Sequence, residues 1–360
     1  MKKRILLFIL SLCIIISTFL FLQKLLVPKY IEEIPEGSLI EEYYQSSFQH
    51  DVIFVGDCEV YENISPVTLW QKYGISSYIR GSAQQLIWQS YYLMEDTLKY
   101  EKPKVMVFNV LSMKYGEPQR EEYNRLNLDG MRWSLSKYKA IQASMTEDES
   151  IIDYIFPLLR YHQRWSELTS EDFRYLWNKP LISHNGFLMR ADVLPVENIP
   201  QGAPLSDYQF SQTSYQYLDM MKDLCEKNDV ELVLMKAPSL YPEWYDEWDQ
   251  QMEAYAKEND LLYINFLEHI DEIGLDFQKD TYDAGLHLNL SGAEKLASYF
   301  GKILQERFGL INHQQDAQYQ KVWQEIVKRY EDMKQQQYDE LEKYGYLKSF
   351  GAKPKEEEDK

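Results

Sequence analysis

Five short apolar, β-branched runs separated by segments with helical spacing predict an α/β fold, a three-layer α/β/α sandwich around a mainly parallel sheet. The runs are continuously apolar rather than alternating, as strands covered on both faces must be. Two other features complete the expected architecture: an N-terminal apolar stretch, and a region at residues 115–211 where the alternation of strand and helix lapses.

Lys2, Lys3 and Arg4 precede an apolar run over residues 5–22 that only Ser11, Cys13, Ser17 and Thr18 interrupt. That length approaches the ~20 residues a helix needs to cross a bilayer. Residues 1–26 are therefore expected to form a single-pass anchor in the cell membrane, with the N-terminus cytoplasmic and the main domain extracellular. A cleaved signal peptide is the alternative, but residues 23–28 offer no small-residue cleavage site. Residues 27–48, with Pro28, Pro35 and two acidic pairs, are expected to be a linker.

The α/β domain is expected over 49–310. Its strands are predicted at 51–55, 76–79, 105–110, 230–235 and 261–266, the first closed by the turn residues Gly56 and Asp57. Helices are predicted at 84–100, where Leu86, Ile87, Tyr91, Leu93, Met94 and Leu98 share a face, and at 214–228. The stretch 115–211 reads as a mainly helical insertion between the third and fourth strands. Its pieces 160–165 and 184–190 are either walls for a substrate or packed aromatic structure, since insertions at the carboxyl edge of such sheets often shape ligand sites. Ser291, three residues before Glu294, suggests a capping box opening the next helix. A C-terminal helix is expected within 311–346, with Tyr319, Val322, Trp323, Ile326, Tyr330 and Met333 on one face. Residues 347–360 read as a charged, disordered end.

The formal charge is −19, and the anchor holds four cations and no acid, so the remainder carries −23. Such a surface disfavours nucleic acid, whose phosphates need clustered cations. It also repels anionic membranes and polymers except at a local basic patch. Of three cysteines, only Cys58 and Cys225 lie beyond the anchor. They are expected at opposite ends of the sheet, too far apart for a disulfide.

Two segments carry chemistry together. One is the strand and turn Val52-Ile53-Phe54-Val55-Gly56-Asp57-Cys58-Glu59. The other runs from Thr281 through Asp283, Ala284, Gly285 and His287 to Asn289, Gly292 and Ala293, into a helix. In these residues the chain resembles the SGNH/GDSL hydrolase superfamily, especially its membrane-anchored Gram-positive branch, which works with membrane-bound O-acyltransferases on cell-envelope polymers. The resemblance covers residues 51–310 without the insertion. It implies a flavodoxin-like sheet and a site in which Cys58 stands where the family has its nucleophilic serine and His287 is the base. Asp283 orients the imidazole from four residues upstream rather than the family's three, with Ala284-Gly285 absorbing the extra residue and Asp280 as fallback. The oxyanion hole would be formed by the Cys58 amide and Gly81, with Asn109, Ser112 or Gln84 as a third donor.

A thiol at a helix N-terminus is expected to have a lowered pKa, and its thioester is a good acyl donor. Cys58 either carries an acyl group or is a small buried residue left where catalysis was lost; the sequence leaves both open. Gln84, Trp244 and Tyr245 are candidate substrate contacts on loops at the same edge. His162, His184 and His269 stand outside any metal-ligand spacing, and no cofactor or metal is implied. The implied activity is transfer or hydrolysis of a small acyl group such as acetyl on a cell-envelope polysaccharide or glycolipid, with a membrane-bound O-acyltransferase as possible partner. The alternative is a non-catalytic subunit that binds glycan or scaffolds such a complex.

Overall fold

The computed structural model describes residues 2–28, 39–46 and 48–350. Helix α1 (Lys2–Leu26) is long and apolar enough to cross a membrane, and the rest of the chain buries none of its apolar window. The expected linker is only partly one. Residues 29–38 and 47 lie outside the described residues, but α2 (Leu39–Glu42) and a 3-10 turn at Tyr43–Gln45 belong to the domain. The reason is apolar anchoring: Leu39 and Ile40 are fully buried, one in each of the two cores described below.

The sheet has five parallel strands, β1 (Val52–Gly56), β2 (Ser77–Gly81), β3 (Val105–Asn109), β4 (Glu231–Lys236) and β5 (Leu262–Asn265), in the order β2-β1-β3-β4-β5. All five residues of β1 are buried, and its side chains alternate between two hydrophobic layers. Val52 and Phe54 join one layer, while Ile53 and Val55 join the other. That division is why the strand reads as an unbroken apolar run.

After β1 come α3 (Cys58–Tyr61) and α4 (Pro66–Tyr73), and α5 (Ile87–Thr97) links β2 to β3. The chain leaves β1 toward β2 and then returns to the other side of β1 for β3. The crevice beyond β1 and β3 is thus a topological switch point, where open α/β sheets place their ligands. Cys58 is the second residue after β1.

The insertion is helical only at first, through α6 (Glu121–Leu128), α7 (Leu135–Ser144), α8 (Ile151–Ile155), α9 (Pro157–Tyr161), a 3-10 turn at His162–Ser166 and α10 (Ser170–Trp177). From 178 to 211 it is irregular. This stretch runs along the outer edge of β2, where Ile79 N–H donates to the Asn185 carbonyl at 2.9 Å and Asn185 Nδ2 donates to the Ser77 carbonyl at 3.1 Å. Residues 184–189 are consequently buried cover for the sheet, not a substrate wall.

The order then continues with α11 (Gln212–Lys227), α12 (Asp246–Glu258), α13 (Ile270–Ile273), α14 (Leu290–Phe308) and α15 (Ala317–Tyr344). The expected capping box is replaced by another cap: Asn289, in extended conformation, accepts from Gly292 N–H at 3.2 Å, so α14 starts before Ser291. Glu294 instead accepts from Tyr330 Oη and Lys334 Nζ of α15, both at 2.8 Å. Helix α15 buries Trp323, Tyr330 and Gln337, spaced by seven, and stacks Trp323 on Trp70 at 4.8 Å. Leu347 is fully buried, so the chain is ordered to Phe350; the rest of the expected disordered end lies outside the described residues.

Candidate active site

Cys58 is the first residue of α3, and Asp57 caps that helix by accepting the Glu59 N–H at 3.1 Å. As a first-turn residue, Cys58 has a backbone N–H with no acceptor within its own helix. Cys58 as a residue is partly exposed, although its thiol sits in dense surroundings.

His287 reaches Cys58 from the loop before α14. Ala284 and Gly285 both take left-handed conformations, with φ of 62° and 101°. They fold the loop so that Asp283 grips the histidine twice: His287 N–H donates to Oδ1 at 2.8 Å, and Nδ1 lies 2.6 Å from Oδ2. The extra residue between acid and base is absorbed there. Asp280 plays no part, being buried in an ion pair with Lys295 at 2.6 Å. Asn63 fixes the same loop, accepting from Leu288 N–H at 2.8 Å and donating to Ser239 Oγ at 3.2 Å. With Nδ1 committed to Asp283, Nε2 is the free ring nitrogen. It has no partner in strict hydrogen-bond geometry, yet the imidazole is near enough to the thiol to exchange charge and hydrogen-bond effects with it.

A second carboxylate joins the imidazole. Glu62 Oε2 lies 3.3 Å from His287 Nδ1 and accepts a hydrogen bond from Tyr282. The Tyr282 ring lies parallel to the imidazole at 5.9 Å, and the Arg190 guanidinium sits 4.4 Å from its centroid. Arg190 is the member of segment 184–190 that reaches the site, and it does so through Tyr282.

Burial, with nearby carboxylates adding to it, reverses the expected thiol chemistry. Burial pushes the Cys58 thiol up to about 11; His287 opposes the rise, and Asp57 and Glu62 add to it. A helix of four residues is too short to outweigh them. Burial alone would depress His287, but Glu62, Cys58 and the Asp283 hydrogen bond hold its pKa well above the ordinary histidine value. Both shifts favour keeping the proton on sulfur and a proton on the imidazole. Alkylation of Cys58 by iodoacetamide is accordingly expected to be about a hundredfold slower at pH 7 than for a free cysteine, rising with pH toward 11; mass-resolved labelling of the single site checks this.

Beneath the turn lies a buried polar network. Lys236, at the end of β4, pairs with Glu59 at 2.8 Å, both side chains wholly inaccessible, and donates to the Ala237 carbonyl at 2.7 Å. Asn109 Nδ2 donates to Asp57 Oδ1 at 3.2 Å and to Glu59 Oε2 at 3.0 Å, and its Oδ1 accepts from Ala237 N–H. Both amide protons of Asn109 are thereby engaged, so this side chain braces the turn rather than facing an oxyanion. The burial of Asp57, with Glu59 nearby, pushes its carboxyl up to about 6. Replacing Lys236 by methionine strands Glu59 and is expected to cost about 3–5 kcal/mol, with partial recovery in the double variant with Glu59→Gln; thermal melts of the detergent-solubilised chain measure both.

The other anticipated residues divide. Gly81 ends β2 beside the Cys58 turn, where a Cβ would lie 3.0 Å from the Gly56 carbonyl oxygen and 3.1 Å from the Tyr61 ring. Gln84 is exposed on the turn after β2, with φ 49°. Ser112 is buried just after β3, and its hydroxyl has no partner. Trp244 and Tyr245 belong to an aromatic cluster: Trp244 is buried, bonds Asp249 at 2.9 Å and stacks on Phe210, while Tyr245 packs on Trp248 and donates to the Ala203 carbonyl. Trp244 is thus enclosed in the cluster, while Tyr245 stays partly exposed at its edge. Residues 160–165 lie against the end of α1 instead of the crevice. Cys225 is buried in α11, and both it and Cys58 are free thiols.

A separate cavity of about 330 Å³ lies by the start of β2, lined by Glu42, Tyr78, Ser183 and Arg329 among others, and contains neither Cys58 nor His287. Sequence reasoning missed the roles of Glu59, Glu62, Lys236 and Tyr282, because Glu59 pairs with Lys236 and Glu62 with Tyr282 across long stretches of the chain. No family model and no curated protein matches the chain.

Proposed function

We propose that this chain is a membrane-anchored, extracytoplasmic acyl-transfer enzyme of SGNH-like type, an O-acyltransferase or esterase for a small acyl group such as acetyl on a cell-envelope glycan. The observation that carries the proposal is the convergence at the switch point: Asp283 holds His287 at 2.6 Å, the imidazole's other nitrogen is free, and the Cys58 thiol is its neighbour. In the proposed cycle neutral His287 takes the Cys58 proton while sulfur attacks the acyl carbonyl. The Cys58 N–H supports the resulting oxyanion. Imidazolium then returns the proton to the departing oxygen, leaving a thioester that a glycan hydroxyl or water cleaves by the same steps reversed. The resemblance to the membrane-anchored Gram-positive branch supplies the substrate class and the membrane-bound O-acyltransferase as partner.

Two observations favour a second reading, a non-catalytic subunit that binds glycan or scaffolds a complex: the thiol is held up at about 11, and Asn109 is locked into the framework. Incubation of the chain with an activated acetyl ester, followed by intact mass, separates the two. A hydroxylamine-labile adduct on Cys58 supports the enzyme; its absence between pH 7 and 9.5, with envelope acylation unchanged in Cys58→Ala but lost on deleting the protein, supports the scaffold.

The pH dependence follows from the same site. The base form of His287 is populated only as pH rises through its elevated pKa, so acylation is expected to increase on the alkaline side of neutrality. Glu62 raises both His287 and Cys58. Glu62→Gln is therefore expected to move the rising limb of the pH–rate profile to lower pH, and a limb that stays in place refutes the assignment.

A further inference from the structure

We infer that the middle of the insertion is a lipid-facing shelf: α8, α9, the turn at His162–Ser166 and α10 lie in the headgroup region of the bilayer that α1 spans. The inference rests on α1 being a membrane span. It does not depend on the chemistry at Cys58.

Three independent observations support it. The first is position. The second and third of these helices and the turn between them pack on α1 near its C-terminal end, and α8 packs on α9: the Phe19 and Phe156 rings meet at 5.9 Å, and Arg164 donates to the Leu26 carbonyl at 2.8 Å, closing the last turn of α1. If residues 5–22 cross the hydrocarbon, a length of about 27 Å, those contacts fall at the outer boundary.

The second is exposure. Ile152, Phe156, Leu159 and Phe173 are each 41–53% exposed, and Trp165 and Trp177 are 73% and 85% exposed. Large apolar side chains exposed on elements that pack together at the end of α1 mark an interaction surface, and tryptophan is the residue enriched where lipid meets water. The sheet-facing residues of the fold show no such exposure: β1 to β3 are buried throughout.

The third is charge. The chain as a whole carries −19, yet over residues 151–181 four acidic and four basic residues cancel. The excess anionic charge that would repel a lipid surface is absent where contact is inferred. Continuity with the span and this neutrality select lipid over a soluble protein partner as the occupant.

The test uses the full chain reconstituted in phosphatidylcholine–phosphatidylglycerol vesicles. Tryptophan quenching by lipids brominated near the headgroup end of their chains is compared between the native protein and the double variant Trp165→Tyr, Trp177→Tyr. Native protein is expected to be quenched, and the variant to lose about half or more of that quenching, since the replaced residues are the two most exposed of eight tryptophans. Carbonate extraction is run on both, to read α1 separately. Carbonate-resistant protein whose Trp165 and Trp177 are quenched by aqueous iodide and not by bromolipid overturns the shelf while leaving the anchor intact; it points to a protein partner on that face. Protein extracted by carbonate overturns both the span and the shelf.

Discussion

Cys58→Ala is expected to abolish the hydroxylamine-labile adduct and to lower acyl transfer by about 10³-fold or more, the range seen when a nucleophile is removed from a triad-type site. The thermal midpoint should hardly move, because Cys58 is a small, partly exposed residue and its neighbour His287 Nε2 holds no strict hydrogen bond to lose. That contrast matters, since a loss of activity accompanied by unfolding says nothing about chemistry. Cys58→Ser sharpens the result. A serine hydroxyl does not need to exist as a free anion, and the site disfavours the thiolate, so a serine variant that retains turnover would show that His287 activates the attacking atom only as it reacts. An alanine variant with native turnover would end the enzymatic reading.

The second large effect is expected at Asp283. Asp283→Asn leaves the size of the side chain unchanged but can present an N–H to the imidazole where a carboxylate oxygen now lies 2.6 Å from Nδ1. The imidazole is then driven to the tautomer with its proton on Nε2, the nitrogen that must accept from Cys58, and turnover should fall by about 10²–10⁴-fold. Glu62, 3.3 Å from the same nitrogen, remains as a weaker acceptor. The double variant Asp283→Asn, Glu62→Gln should therefore lose more than Asp283→Asn alone. Steady-state rates at a fixed alkaline pH compare the three chains directly.

What could be read from sequence was whatever depended on neighbouring residues. The strands were legible because a buried parallel strand is apolar at every position, as Val52 to Val55 are, and because Gly56 and Asp57 mark its end. The Asp283–His287 pairing was legible because Ala284-Gly285 offered a loop able to close it. Residues whose roles depend on distant partners were not legible. Glu59 and Lys236 are 177 positions apart and individually look like surface charges. Only the fold makes them one buried pair. Trp244 and Tyr245 show the converse problem: a ring that stacks on Phe210 or Trp248 is indistinguishable in sequence from one that stacks on a sugar. Ser291 made a good cap on paper, but Asn289 also donates to the Asp192 and Lys279 carbonyls, and that double tether fixes where α14 begins.

The contact between Asn185 and β2 bears on how the chain can be handled. β2 is an outer strand, and an uncovered outer strand is a template on which another chain can add itself. The insertion that looks dispensable between β3 and β4 supplies the carbonyl that occupies Ile79 N–H and the amide that occupies the Ser77 carbonyl. A minimal domain made by excising residues 115–211 would thus carry an open edge, and intermolecular strand addition would compete with its folding. Any shortening of the insertion would have to retain the turn at Asn185 or supply another guard for that edge.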